Sequence, residues 1–198
     1  MVLKGLDDAG GSGGRWAGRV AVAKGQDAVL RFRILAGDGR GQPVAVMLMA
    51  DALASATSLV IHGDHAALSS GDKLLSGDNI VETTSGAAAV GVTSVAMTAI
   101  AGLLRQGSVL QKVADLTGYT LSMEVLSNRG DATPVLTASA VVATQTATDR
   151  GICTVTVQPA DTSSLDAGPY YAALWRRDSG QVRLLCEFTL DLQEAGFL

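Results

Sequence analysis

The chain has 198 residues, of which 47% are hydrophobic and 17% are charged, and its formal net charge is -4. This composition supports a buried core and excludes a disordered chain. Positive charges are scattered rather than clustered, which argues against nucleic-acid binding, because neutralising phosphates requires a basic stripe.

The first 18 residues are rich in glycine and lack a core pattern, so we predict a flexible N-terminal arm over residues 1–18. Trp16 is its one large aromatic side chain. Two alternatives remain open, a frayed end or an arm that docks on a neighbour through Trp16. The start has no apolar run typical of a secretory signal, and no stretch is apolar enough to span a bilayer. We therefore expect a soluble protein made in the cytosol.

Six segments show the alternation of apolar and polar residues, flanked by turn residues, that is typical of β-strands. They are residues 29–35, 120–126, 135–144, 151–157, 170–176 and 182–192. In the last of them we expect one apolar face to be buried, and Leu185 is the one apolar residue on the opposite, polar face. The apolar face comprises Val182, Leu184, Cys186, Phe188, Leu190 and Leu192. Short strands at this spacing predict a β-sandwich built from residues 19–44 and 114–194.

An internal repeat with an offset of 36 residues occupies residues 45–113. The Thr-Ser-Leu of residues 57–59 recurs as Thr-Ser-Val at 93–95, and Gly71 recurs as Gly107. Neither copy can bury its own apolar side, so we predict that both pack as a pseudo-symmetric β-module inserted into the sandwich. We expect short helical turns near residues 66–68 and 100–104.

The one cluster of histidine and aspartate is His62-Gly63-Asp64-His65. A metal site is the sharper interpretation, but a closed site needs four ligands, so a solvated loop is favoured. A hydrolase would need His62 or His65 beside a carboxylate in a cleft. Neither lies near a nucleophile pattern such as Gly-x-Ser-x-Gly. We expect no enzyme activity, no cofactor and no metal.

Candidate interaction residues lie near the C-terminal end. Trp175, Arg176 and Arg177 are suited to stack on a sugar or to pair with a partner's carboxylate, although a core tryptophan is the more ordinary interpretation. Phe197 and Leu198 close an apolar tail, residues 195–198, that is suited to dock on another subunit. The two cysteines, Cys153 and Cys186, fall on predicted core faces, which favours buried free thiols over a disulfide.

Four short motifs resemble the N-terminal immunoglobulin-like domain of upper baseplate proteins in tailed bacteriophages. They are residues 25–27 (Gly-Gln-Asp), 41–44 (Gly-Gln-Pro-Val), 115–119 (Asp-Leu-Thr-Gly-Tyr) and 167–170 (Ala-Gly-Pro-Tyr). In that family the second and third motifs are close neighbours, whereas here about seventy residues separate them. The repeat module accounts for this departure, and its copies resemble repeats of phage head-fibre and other virion proteins.

The resemblance implies an all-β protein, an immunoglobulin-like β-sandwich with an inserted small pseudo-symmetric β-module. It also implies a structural component of a bacteriophage particle, at the tail baseplate or at a head or neck attachment. Expected partners are other virion proteins and copies of the chain, with no nucleic acid, membrane or small-molecule substrate. The expected location is the virion, assembled in the host cytoplasm. The alternatives are a carbohydrate-binding host-adhesion module and a capsid decoration protein.

Overall fold

The computed structural model describes residues 2–7, 15–77, 80–146, 148–178, 180–194 and 196. Among these residues the one helix is the single turn α1, Pro159–Thr162, and strands dominate. The strands are β1 (Val2–Asp7), β2 (Arg15–Ala23), β3 (Ala28–Ala36), β4 (Ala45–Met47), β5 (Ser58–Val60), β6 (Lys73–Ser76), β7 (Ile80–Thr83), β8 (Ser94–Ala96), β9 (Val109–Lys112), β10 (Leu121–Leu126), β11 (Leu136–Val142), β12 (Ile152–Val157), β13 (Gly168–Asp178) and β14 (Gln181–Gln193). All six strands predicted outside the repeat are present.

Eight strands form one sheet in the order β1-β3-β12-β11-β10-β13-β14-β2. The inner pairs are antiparallel, whereas the outermost pairs, β1 with β3 and β14 with β2, are parallel. The sheet rolls over so that β1 packs against β14 and its two edge strands approach each other. The predicted all-β, sandwich-like fold class is confirmed.

The core of the rolled sheet follows from strand alternation. In β10, Leu121, Met123 and Val125 are buried and the residues between them are half-buried. Phe32 of β3 and Phe188 of β14 meet in this core, with ring centroids 5.8 Å apart, although their strands are far apart in the sheet order. Gly5 allows β1 to approach closely, since a Cβ atom there would lie 2.9 Å from the Leu185 carbonyl oxygen.

The prediction of a flexible arm over residues 1–18 requires correction. Residues 2–7 form β1, Leu3 is buried, and β2 begins at Arg15. Composition pointed to flexibility because the glycine-rich centre of this segment masks the short strands on either side. Residues 8–14 lie outside the described part of the chain.

The expected alternation of β14 is wrong at one end, because a β-bulge shifts the register. Leu174 pairs with Cys186, whereas Trp175 pairs with Leu184, so Leu185 is the extra residue. The inserted residue reverses the facing of the strand before it. Val182 is therefore 64% exposed, and Leu185 is buried with Cys186.

Residues 44–113 form a second unit with its own core, and the predicted pseudo-symmetry governs its pairing. The four-stranded sheet has the order β4-β9-β6-β7, and β5 pairs with β8. Equivalent residues lie opposite each other: Leu59 pairs with Val95, and the Ser58 and Ser94 hydroxyls are 2.9 Å apart. The pairing of β4 with β9 repeats, shifted by 36 residues, as that of β7 with β6.

The helical turns expected near residues 66–68 and 100–104 are not formed. Neither segment is helical, and each makes a single bridge, Leu68 with Ala88 and Leu104 with Ala52. These two bridges are also equivalent by the 36-residue offset. Cross-strand pairing thus overrides the helix preference of alanine.

The module contacts the rolled sheet through a small cluster of Leu35, Leu75 and Val113. Leu35, near the end of β3, bridges Val113, which follows β9. The chain therefore leaves the sheet after β3 and returns to it beside the point of departure.

Candidate functional site

A shallow cleft of about 490 Å³ lies on the outer face of the large sheet. It is bounded by β10, the loop that follows it, β13 and β14. Tyr171 and Trp175 stand on the same face of β13, separated by the small buried Ala173. The two aromatic rings therefore form the ends of the cleft floor, with the small Ala173 between them.

Two carboxylates flank this floor at its centre. Ala173 pairs with Glu124 of β10 on one side and with Glu187 of β14 on the other. Neighbouring strands are about 4.8 Å apart, so the two glutamate Cα atoms are separated by roughly 10 Å. The aromatic and acidic residues alternate around Ala173, a pattern that only the pairing of three strands creates.

Each of these two glutamates contacts a guanidinium group. Arg177 pairs with Glu124 and its guanidinium carbon lies 5.8 Å from the Trp175 ring centroid. Arg129 pairs with Glu187 at 3.2 Å and lies 5.9 Å from the Tyr171 ring centroid. The carboxylate side chains are 18% and 10% exposed, and the arginine side chains are 41% and 58% exposed. The acceptors of the cleft are thus less exposed than its donors.

Tyr171 also donates a hydrogen bond to Glu187. Its hydroxyl donates to Oε2 at 2.7 Å. Burial, with the hydrogen bond to the carboxylate, raises the pKa of Tyr171 to about 12. The hydroxyl therefore remains protonated at neutral pH and holds the carboxylate in place.

The predicted interaction residues separate into different places. Trp175 and Arg177 line the cleft, and Trp175 is half-buried rather than a core residue. Arg176 does not line the cleft: it lies 3.4 Å from the Tyr119 ring centroid and pairs with Asp178. Trp16 lies in β2, but its side chain is outside the described part of the structure, as are Phe197 and Leu198.

The cleft residues that the sequence reasoning missed are Tyr171, Glu124, Glu187 and Arg129. The spacing of Tyr171 and Trp175 within one strand was a readable signal, since side chains four residues apart share a face. The two glutamates come from strands whose pairing with β13 is not encoded locally. Arg129 belongs to a turn between β10 and β11 whose direction depends on the whole sheet.

A second feature is an apolar patch on one half of the module, formed by Met47, Met49, Val60 and Val109. Met47 pairs with Val109 across β4 and β9, and the Met49 N–H donates to the Val60 carbonyl oxygen. These four side chains are between 39% and 52% exposed. They are large apolar groups that the chain leaves in water.

The equivalent positions of the other half are polar or small. The 36-residue offset relates the patch to Thr83, Ser85, Ala96 and Lys73 in the same order. Lys73 Nζ donates to the Thr83 hydroxyl at 2.6 Å. Because both halves share one backbone arrangement, the fold itself does not require apolar residues at these positions.

The His62–His65 loop makes local contacts. The Asp64 N–H donates to Nδ1 of His62 at 3.1 Å. The ring nitrogens of the buried His65 lie 2.8 Å and 3.0 Å from the carbonyl oxygens of Ala66 and Val92. His65 lines a cavity of about 400 Å³, but its ring is engaged by the backbone. In the described part of the chain, no three histidine, cysteine or acidic residues are grouped to hold a metal.

Cys153 and Cys186 are both free and buried, as predicted. Burial raises the pKa of each thiol to about 12. Their thiolates are therefore not populated at neutral pH, and they pack as small apolar residues.

Within the described residues, no helix is long and apolar enough to cross a membrane. No protein-family model matches this chain, and a search of curated proteins finds no match either.

Proposed function

We propose that the protein is a non-enzymatic structural component of a bacteriophage particle, which assembles with copies of itself and with other virion proteins. The assignment to a phage particle is supported by four motifs that resemble those of baseplate proteins, at residues 25–27, 41–44, 115–119 and 167–170. The observation that supports self-assembly is the apolar patch. It is exposed on one half of the module, and polar or small residues take its place on the other half.

The occupant of the patch is a second copy of the chain. In a two-fold contact the same patch serves both subunits, so an uncharged surface meets itself without burying a charge. The nearby ion pair of Asp51 and Arg105, at 3.2 Å, neutralises itself within one subunit. Burying four large apolar side chains from each copy then supplies the driving force.

The test replaces each patch residue by its own counterpart from the other half, namely Met47→Thr, Met49→Ser, Val60→Ala and Val109→Lys. These changes use residues that the same backbone already accommodates. We expect concentration-dependent self-association of the natural chain by light scattering, and a monomer for the variant. A matched control, Val141→Lys, alters an exposed valine of the large sheet and leaves association unchanged.

Two results would contradict the proposal. If the natural chain stays monomeric at high concentration, it does not self-associate. If the variant still associates, the patch is not the contact surface. Labelling of phage particles with an antibody against the chain tests the location, and absence of label from head, neck and tail would refute it.

A further inference from the structure

The outer cleft of the large sheet is suited to a second role, separate from self-association through the module. It lies on β10, β13 and β14, whereas the apolar patch lies on β4, β5 and β9. A volume of about 490 Å³ is within the usual range for a small-molecule site. Its lining combines two aromatic rings with oriented hydrogen-bonding groups, which is the combination that a polar ligand with one apolar face requires.

We infer that this cleft binds a neutral saccharide, with one pyranose ring over Trp175 and its hydroxyl groups toward Glu124 and Glu187. The C–H face of a pyranose is apolar and packs on an indole ring, while its equatorial hydroxyls point sideways. The carboxylates on either side of Ala173 accept hydrogen bonds from those hydroxyls. The exposed guanidinium groups of Arg129 and Arg177 donate to hydroxyl and ring oxygens.

The charges of the lining determine the class of saccharide. Arg129 and Arg177 are opposed by three carboxylates, those of Glu124, Glu187 and Asp131, which leaves the cleft slightly negative. An acidic sugar would have to displace an existing ion pair and approach a surface of its own sign. A neutral sugar can form hydrogen bonds with the arginine–glutamate pairs without breaking them.

The arrangement is suited to binding rather than to cleavage of the sugar. Glycoside hydrolysis needs one carboxylic acid that carries a proton for the leaving group. Here each glutamate contacts a guanidinium group, and Glu187 also accepts the Tyr171 hydroxyl. Both carboxylates are therefore arranged as acceptors.

The indole N–H signal of Trp175 in the NMR spectrum reports binding of a ligand to the cleft. The chain has two tryptophans, so its nitrogen–proton NMR spectrum contains two indole signals, and Trp16→Phe identifies them. An array of neutral and acidic glycans is screened first. The probes titrated are then the best neutral glycan, maltotriose, cellotriose, trigalacturonic acid and the cationic peptide Gly-Lys-Gly. We expect a neutral glycan to move the Trp175 signal in a saturable manner.

Variants separate stacking from hydrogen bonding. Binding to these variants is followed by the backbone amide signals of the cleft, because the Trp175 variants lack the indole reporter. Trp175→Ala should weaken binding by about tenfold or more, and Trp175→Phe should retain part of it. Glu124→Gln should weaken it by about tenfold, because a charged acceptor is lost while the shape is kept. Val141→Ala, an exposed position that does not line the cleft, should bind normally. Dispersed amide signals in each variant show that it is folded.

Three outcomes would overturn the inference: no glycan of the array moves the Trp175 signal, only the acidic sugar or the peptide does, or Trp175→Ala and Glu124→Gln bind as tightly as the natural chain. Release of reducing ends from the bound glycan would contradict the assignment of both glutamates as acceptors. None of these results affects the self-association test, since the two surfaces share no residue.

Discussion

Replacing the buried Glu82 by valine should stabilise the protein at neutral pH. Glu82 lies in β7 and is 3% exposed. Its Oε2 accepts one long hydrogen bond, 3.4 Å, from the Ala101 N–H, and its Oε1 has no hydrogen-bond partner among the described residues. The equivalent residue of the other half is Val46, which is 1% exposed. The module therefore already shows that valine fits this position.

Burial raises the pKa of Glu82, and this sets the pH dependence. A carboxyl whose folded pKa exceeds its unfolded pKa contributes its full stability below the unfolded value, about 4.3, and loses it as the pH rises through the folded value. As the pH rises above the unfolded value, the raised pKa of Glu82 therefore progressively lowers the stability of the folded chain. A buried acceptor without a partner costs about 1–3 kcal/mol, so Glu82→Val should gain about 2 kcal/mol and raise the Tm by roughly 4–8 °C.

The measurement is urea unfolding followed by circular dichroism, at pH 7 and at pH 4. The gain of Glu82→Val over the natural chain should shrink at pH 4, where Glu82 carries its proton. Glu82→Gln is the control, because it keeps the shape and removes the charge, and its stability relative to Glu82→Val should not depend on pH. A gain that is equal at both pH values, or a loss of stability at pH 7, would refute the reasoning.

Two further predictions concern the large sheet. Gly5→Ala should destabilise the protein by about 1–3 kcal/mol in urea unfolding, since the added methyl group would lie 2.9 Å from the Leu185 carbonyl oxygen. Gly102→Ala has open space around it and should change stability little, so similar effects of the two would argue against the close packing of β1. Cys153 and Cys186 should both resist a thiol reagent at pH 8 in the native state and both react in denaturant, as followed by absorbance; rapid native labelling would contradict their burial.

The local elements could be predicted from the sequence because their signals are local. Six of the eight strands of the large sheet show apolar and polar alternation at period two between turn residues, and the repeat copies are related by a constant offset. The offset predicted a pseudo-symmetric pair, and in the structure equivalent residues such as Leu59 and Val95 lie opposite each other. These features depend on contacts within a segment or between two similar segments.

Features that depend on distant pairing could not be read in the same way. The strand β1 is short and precedes a glycine-rich stretch, so only its parallel pairing with β3 reveals it. The bulge at Leu185 reverses the facing of Val182, whereas in the sequence Leu185 is only a single apolar exception to the alternation. The cleft required Glu124 and Glu187 to arrive on opposite sides of Ala173, which is a consequence of the sheet order.

The parallel pairing of β2 with β14 has a consequence for the order in which the chain folds. Arg19 lies opposite Thr189, about 170 residues later in the chain. During synthesis β2 must wait for β14, its one strand neighbour among the described residues, whereas residues 44–113 pair among themselves and have a core of their own. Contacts between distant residues form slowly, so we expect the module to acquire protection from hydrogen exchange first and β2 to acquire it last.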